Sequence, residues 1–213
     1  MLELAMIKPM NQKILAHLPS NIKLIAVTKG RPAIDIINLD TQDFGENRIE
    51  EIESKWEAEP LLRNLLNNKN VNIHFIGKLS GKKIKRIVKF CSYIHSLDSI
   101  KHAALIDKAA SDSNKIINCF IQVNLAKEPQ KSGIDAGDLN KFIEECNKFH
   151  NLKVIGLMTM PPVDVDPSPY FQELQNLAKQ NNLSGLSMGM SDDYEIAIKY
   201  GANYIRIGRK LFE

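Results

Sequence analysis

Short apolar runs recur along this chain, and each is followed by a stretch of helical spacing or by the terminus. They lie at 24–29, 43–47, 72–77, 93–97, 116–125, 153–159, 186–189 and 203–208. Strand, helix, strand is the alternation of a parallel sheet. Eight such units within 213 residues fit a closed (β/α)8 TIM barrel better than an open sheet. An open doubly wound sheet is the runner-up. It would carry a glycine-rich turn straight after its first strand, where this chain has Lys29-Gly30-Arg31-Pro32. With 44% hydrophobic residues and no shift in composition to mark a linker, the expectation is one barrel domain over residues 1–213.

The intervening segments carry helical spacing. Met10, Ile14, Leu15 and Leu18 predict a helix over about 7–18, closed by Pro19. Others are expected after Pro32, over about 48–66 and 81–90, from Asp98-Ser99 onward, around Leu139, Phe142 and Cys146, and over about 170–179 and 192–200.

Composition excludes several classes. The 28 basic and 25 acidic residues leave a net charge of +3, which argues for neither a nucleic-acid nor a membrane surface. Lys78, Lys82, Lys83, Lys85, Arg86 and Lys89 cluster, but Ile84, Ile87 and Val88 interleave with them as on the solvated face of a barrel helix. Cys91, Cys119 and Cys146 form neither a disulfide framework nor a metal-ligand spacing and fit a reducing cytoplasm. The N-terminus, with Glu3 and Lys8, lacks the apolar stretch of a secretory signal, and no run approaches the roughly 20 residues of a membrane helix.

In a parallel barrel the carboxyl ends of the strands converge on one face, where a site is built. Reading them off gives Lys29, Glu46-Asn47, Gly77, His95-Ser96, Asn124, Met158-Thr159, Met188 to Ser191, and Arg206 to Arg209. A lysine closing a core strand either snorkels into solvent or stands partly desolvated, its neutral amine a nucleophile toward an aldehyde. Ser191, where a helix is expected to begin, and Gly208, in the last strand's loop, occupy a recurrent phosphate position of the fold. The same residues also read as an ordinary helix cap and a turn, and Asp192 and Asp193 would repel an anion unless they point away. His74 reads as a core histidine, and His95, at a strand end, is slightly better placed as a ligand. No metal site is expected.

Taken as a set, these strand ends are familiar. The segments AVTKGRP (26–32), DFGENRIEE (43–51), HFIGKL (74–79), IHSLDS (94–99), IQVNLAKEPQKSGI (121–134), GLMTMPP (156–162) and LSMGMSDDYEIAIKYGANYIRIG (186–208) run through nearly the whole chain in order. With them the chain resembles the pyridoxal phosphate homeostasis protein family, related to the N-terminal barrel of alanine racemase.

The resemblance implies binding of pyridoxal 5'-phosphate as a Schiff base on Lys29. It implies a phosphate held by Ser191 and the backbone around Gly208 and Arg209, Arg206 facing the pyridine nitrogen, and a pocket lined by Asn47, Ser187, Met188 and Gly189. A guanidinium at the ring nitrogen keeps that nitrogen neutral and weakens carbanion stabilisation. The implied role is cofactor buffering and delivery in the cytoplasm, by a monomer that passes pyridoxal phosphate to dependent apoenzymes without an established turnover. The alternative is a pyridoxal-phosphate-dependent amino-acid racemase. It needs a second acid or base opposite Lys29, which alanine racemases take from a further domain, whereas this sequence ends at Glu213 just after its eighth strand. A cofactor-free Schiff-base aldolase would need a carboxylate relay, for which Glu46 is the visible candidate. Three departures from the family pattern stand out: Arg209 where threonine or serine is common, Leu79-Ser80-Gly81-Lys82 in place of an amide-bearing segment, and a short N-terminal helix. Roles for Lys131 and Arg31 in transfer stay open.

Overall fold

Strand β5 (Ile117–Gln122) shows why the apolar runs become barrel staves. All its residues but Asn118 are buried, as a strand covered by helices outside and by side chains on the barrel axis must be. The computed structural model describes residues 11–68, 71–128 and 132–212. Strands β1 (Lys23–Val27), β2 (Asp43–Glu46), β3 (Asn72–Phe75), β4 (Tyr93–Leu97), β5, β6 (Leu152–Met158), β7 (Gly185–Ser187) and β8 (Tyr204–Ile207) pair in parallel and in order. The barrel closes where Leu24 meets Ile205 and Ile25 meets Arg206. It is the expected (β/α)8 architecture.

The helices pack by simple periodicity. In α7 (Leu139–Cys146), Leu139, Phe142 and Cys146 are buried at spacings of three and four. In α6 (Ile100–Asp112), Ser99 caps the first turn by accepting the His102 amide at 3.2 Å, while His102 bonds Asp98 at 2.7 Å. Helix α8 spans Ser168–Gln180. No helix among the described residues is long and apolar enough to cross a membrane.

Several boundaries differ from the sequence expectations, for physical reasons. The predicted helix over 48–66 is broken into α3 (Ile49–Ile52), a wide π turn (Glu53–Glu57) and α4 (Pro60–Asn68). Pro60 cannot continue a helix begun upstream. The π turn lets the consecutive residues Lys55 and Trp56 both reach Glu46. Of the helix expected over about 7–18, the structure shows α1 (Gln12–Leu15); residues 1–10 lie outside the described residues, as does Lys131. Helix α2 (Ala33–Ile37) follows Pro32 as expected.

Ion pairs account for much of the basic cluster on α5 (Ile84–Phe90). Lys83, Arg86 and Lys89 pair with Glu50, Glu53 and Glu57. The face is solvated, and three of its cations are matched by carboxylates.

Candidate cofactor site at the barrel mouth

The mouth holds a cavity of about 400 Å³ lined by Lys29, Asn47, Ser191, Arg206, Gly208 and Arg209, with Val27, Ile76, Met160, Met190 and Asp192 completing the wall. Lys29 stands two residues past the end of β1 and is exposed, so its amine is on the cavity rim and not in the partly desolvated position considered from sequence. A loop residue beyond the last ladder bond has no covering layer. Among the described residues no carboxylate pairs with Lys29.

A network of bonds beneath the loop holds it in place. Thr28 Oγ1 donates to Glu46 Oε1 at 2.7 Å, Lys55 Nζ donates to the Thr28 carbonyl at 2.8 Å, and the Gly30 amide donates to Glu51 at 3.3 Å. Lys55 also bonds Glu46 and Glu51, each at 3.2 Å. Glu46 is fully buried and committed to Thr28, Lys55 and Trp56, which removes it as a relay to Lys29.

Opposite Lys29, the loops after β7 and β8 present unused donors. The Asp193 and Tyr194 amides both donate to the Met190 carbonyl, at 3.2 and 2.9 Å, and Asp193 Oδ1 accepts the Met190 amide. This turn leaves the Ser191 and Asp192 amides with no acceptor among the described residues, and the Gly208 and Arg209 amides are in the same position. Such clustered free amides form an anion-binding concavity. The cap of helix α9 (Tyr194–Lys199) is Asp193, so Ser191 sits in the preceding turn and not at the helix start expected from sequence. The repulsion anticipated from the two acids is met by pairing: Asp192 bonds Arg209 at 2.6 Å, and Asp193 is spent on the turn. At Gly208 a Cβ would meet nothing nearer than Val27, at 3.6 Å, so the backbone there is open to close approach by a ligand.

Arg206, on β8, is only 5% exposed and has no carboxylate partner among the described residues. Burial pulls its guanidinium down to about 10, with Asp193 opposing, so it stays charged at neutral pH. Its donors go to Ser187 Oγ at 2.6 Å and the Thr159 carbonyl at 3.3 Å. A guanidinium has more N–H groups than these two acceptors use. Asn47 adds a buried Oδ1 with no donor. Gly77 presses on the same residue from β3's loop: a Cβ at Gly77 would sit 1.9 Å from the Asn47 carbonyl.

Of the residues singled out from sequence, Ser187, Met188 and Gly189 do not line this cavity. Ser187 lies beneath Arg206, Met188 is fully buried in the core, and Gly189, at φ +92°, turns the chain where a Cβ would strike Tyr194 and Ala197. His95, expected near the mouth, is wholly buried inside β4. Arg31 stacks on Phe212, 4.2 Å from the ring centre. Sequence reading missed Lys55 as the brace of the Lys29 loop, because a π turn leaves no periodic signature.

Comparison with known proteins places this geometry. A family model described as the alanine racemase N-terminal domain matches residues 4–212. A pyridoxal phosphate homeostasis protein of Synechocystis is 38% identical over 212 residues, covering 94% of each chain, and one of Aquifex aeolicus is 36% identical over 202 residues, covering 89% of this chain and 86% of the relative. PipY of Synechococcus elongatus, solved with PLP bound, superposes with a TM-score of 0.84 at 29% identity, over 94% of this chain and 97% of that one. The chain therefore belongs to the alanine racemase N-terminal domain family, among the pyridoxal phosphate homeostasis proteins.

Proposed function

We propose that this protein binds pyridoxal 5'-phosphate at the barrel mouth and serves in homeostasis of that cofactor, holding and releasing it without turning over a substrate. The observation that carries the reading is the meeting, on one cavity, of a lysine amine, backbone amides on two loops and a buried arginine; among the described residues no carboxylate pairs with the lysine or the arginine, and no carboxylate or carbonyl is spent on the amides. The residues fit the group. The Ser191, Asp192, Gly208 and Arg209 amides suit a phosphate dianion, Asn47 Oδ1 suits a hydroxyl donor, and Lys29 suits an aldehyde.

When bound, the cofactor supplies a reactive aldehyde on an electron-withdrawing ring. Lys29, on the cavity rim, would hold the group through its amine, which suits an aldehyde. Arg206 would serve as the donor toward the ring nitrogen, where its charge would disfavour a proton, since two cations would repel. Arg209, paired with Asp192, stands at the phosphate loop where the family commonly has a hydroxyl. Ser187 and Gly189 act from behind, through Arg206 and the β7 turn.

The racemase reading gains no support here. Among the described residues lining the cavity, the carboxylate is Asp192, and it is held by Arg209. We place the protein in a reducing cytoplasm, as the free thiols of Cys91, Cys119 and Cys146 suit, as a monomer of one barrel over 1–213 that delivers cofactor to apoenzymes.

Purified protein mixed with pyridoxal phosphate should gain visible absorption. Borohydride should then fix one cofactor mass on the Lys29 peptide, and Lys29→Ala should show neither. Protein that stays colourless and unlabelled ends the proposal. Racemisation of any single-enantiomer amino acid by the loaded protein would move the assignment to the enzyme.

A further inference from the structure

Beneath the mouth, polar side chains run in single file across the barrel interior. Arg206 Nη1 donates to Ser187 Oγ at 2.6 Å, and Ser187 Oγ lies 2.7 Å from His95 Nδ1. His95 Nε2 is 2.9 Å from His74 Nδ1, and His74 Nε2 is 2.8 Å from Asp43 Oδ1. These residues come from β8, β7, β4, β3 and β2. Asp43 opens β2, so it sits at the amino end of the barrel, opposite the mouth. There it also bonds Asn72 Nδ2 at 3.1 Å and Lys23 Nζ at 3.4 Å, and lines a separate cleft with Lys23.

The protons in this file can be assigned one by one. A carboxylate only accepts, so His74 carries its hydrogen on Nε2. Burial holds His74 below the usual imidazole value despite Asp43, and holds His95 well below it, helped by the cations of Arg206 and Lys23. Both rings are therefore neutral, which leaves His74 Nδ1 bare to accept from His95 Nε2–H. His95 Nδ1 is then bare and accepts the Ser187 hydroxyl, whose oxygen accepts Arg206. Every donor points from the mouth toward Asp43.

The opposite sense is worse by one buried donor. His95 Nδ1–H and Arg206 would both donate to the Ser187 oxygen, and the hydroxyl hydrogen would have no acceptor among the described residues. Rotation offers little relief, because His74 stacks on Tyr93 at 4.2 Å and His95 on Phe120 at 4.4 Å.

We infer that Asp43 is a long-range positioning residue for the mouth: through the tautomers of His74 and His95 it fixes the Ser187 hydroxyl as an acceptor for Arg206, and so holds the guanidinium toward the cavity. The consequence for cofactor rests on the function proposed above; the proton assignment does not.

Long-range ¹H–¹⁵N spectra of ligand-free, ¹⁵N-labelled protein read both tautomers directly. In the unsubstituted protein both rings should carry hydrogen on Nε2 and none on Nδ1. Asp43→Ala removes the acceptor that fixes the hydrogen on His74 Nε2, and both rings should lose their exclusive Nε2–H form. It should weaken pyridoxal phosphate binding about tenfold, with covalent uptake at Lys29 retained at saturating cofactor. Ser187→Ala, which cuts the file at its other end, should bring a similar loss while His74 keeps its tautomer, and decides the matter if Asp43→Ala does not fold. Nδ1–H rings in the unsubstituted protein, unmoved tautomers in Asp43→Ala, or unchanged affinity in Ser187→Ala would each overturn the inference. If the unsubstituted protein takes up no cofactor, the binding proposal fails by itself, and the tautomers still judge the relay.

Discussion

Replacing Glu46 by glutamine removes one negative charge at nearly constant shape, and the cost can be worked out from its contacts. Glu46 Oε1 accepts from Thr28 at 2.7 Å and from Lys55 and Trp56 at 3.2 Å each. A hydrogen bond to a charged group contributes about 1.5–3 kcal/mol and a neutral one about 0.5–1.5, so the change removes roughly 1 kcal/mol per donor, or about 3 kcal/mol in all. Glu46 Oε2 is buried without a donor, so the substitution takes no hydrogen bond from that side. For a chain of this length the midpoint of thermal unfolding should fall by about 6–12 °C. Calorimetry on Glu46→Gln, Lys55→Met and the double variant checks the reasoning, since the two costs should fall short of additivity by about 1 kcal/mol or more. Because Lys55 also grips the Thr28 carbonyl, cofactor uptake at Lys29 should slow in both single variants. A Glu46→Gln midpoint within about 2 °C of the unsubstituted protein, or strict additivity, would refute this account of the Lys29 loop.

Other outcomes follow from the same geometry. His74 and His95 bind protons less readily folded than unfolded, so stability should be full above the ordinary imidazole value of 6.5 and fall below it, by up to about 1.4 kcal/mol per pH unit for each ring. Asp43, raised by burial but held low on balance by its hydrogen bonds from His74 and Asn72 and by the charge of Lys23, adds loss of the same sign as pH falls through its folded value. Urea midpoints that stay flat from neutral pH to pH 5 would contradict the histidine statement. Gly77→Ala should cost about 3 kcal/mol or more and disturb Asn47, whose carbonyl would lie 1.9 Å from the new Cβ; near-normal stability with intact cofactor binding is the contrary result. Ser191→Ala should weaken cofactor binding by roughly tenfold or less, since the loop amides remain, as titration of the visible absorption would reveal. Burial drives the thiols of Cys91 and Cys119 up and that of Cys146 up to about 12, so iodoacetamide should label the native protein negligibly and the unfolded protein at Cys91, Cys119 and Cys146.

Much of the mouth was legible in the sequence because the fold itself does the gathering. Once the strand–helix alternation gives a parallel barrel, strand ends as distant as Lys29 and Arg206 must share one face, and the loops holding Ser191 and Gly208 become neighbours. Less could be read where tertiary contacts override periodicity. The 48–66 segment looks like one helix, yet Pro60 and the pull of Glu46 on Lys55 and Trp56 break it.

The sequence by itself determined the architecture, the lysine, and the glycine and serine of the anion loops, since these depend on chain order and residue type. Only the tertiary structure decided that Glu46 braces a loop, that Lys29 stands on an exposed rim, and that Asp43, His74, His95 and Ser187 form one file to Arg206. Barrel strands are buried on both faces and lack the alternation that tells inside from outside. Which of their polar residues meet on the axis is therefore set by register and closure, and those exist only once the ring of strands is complete.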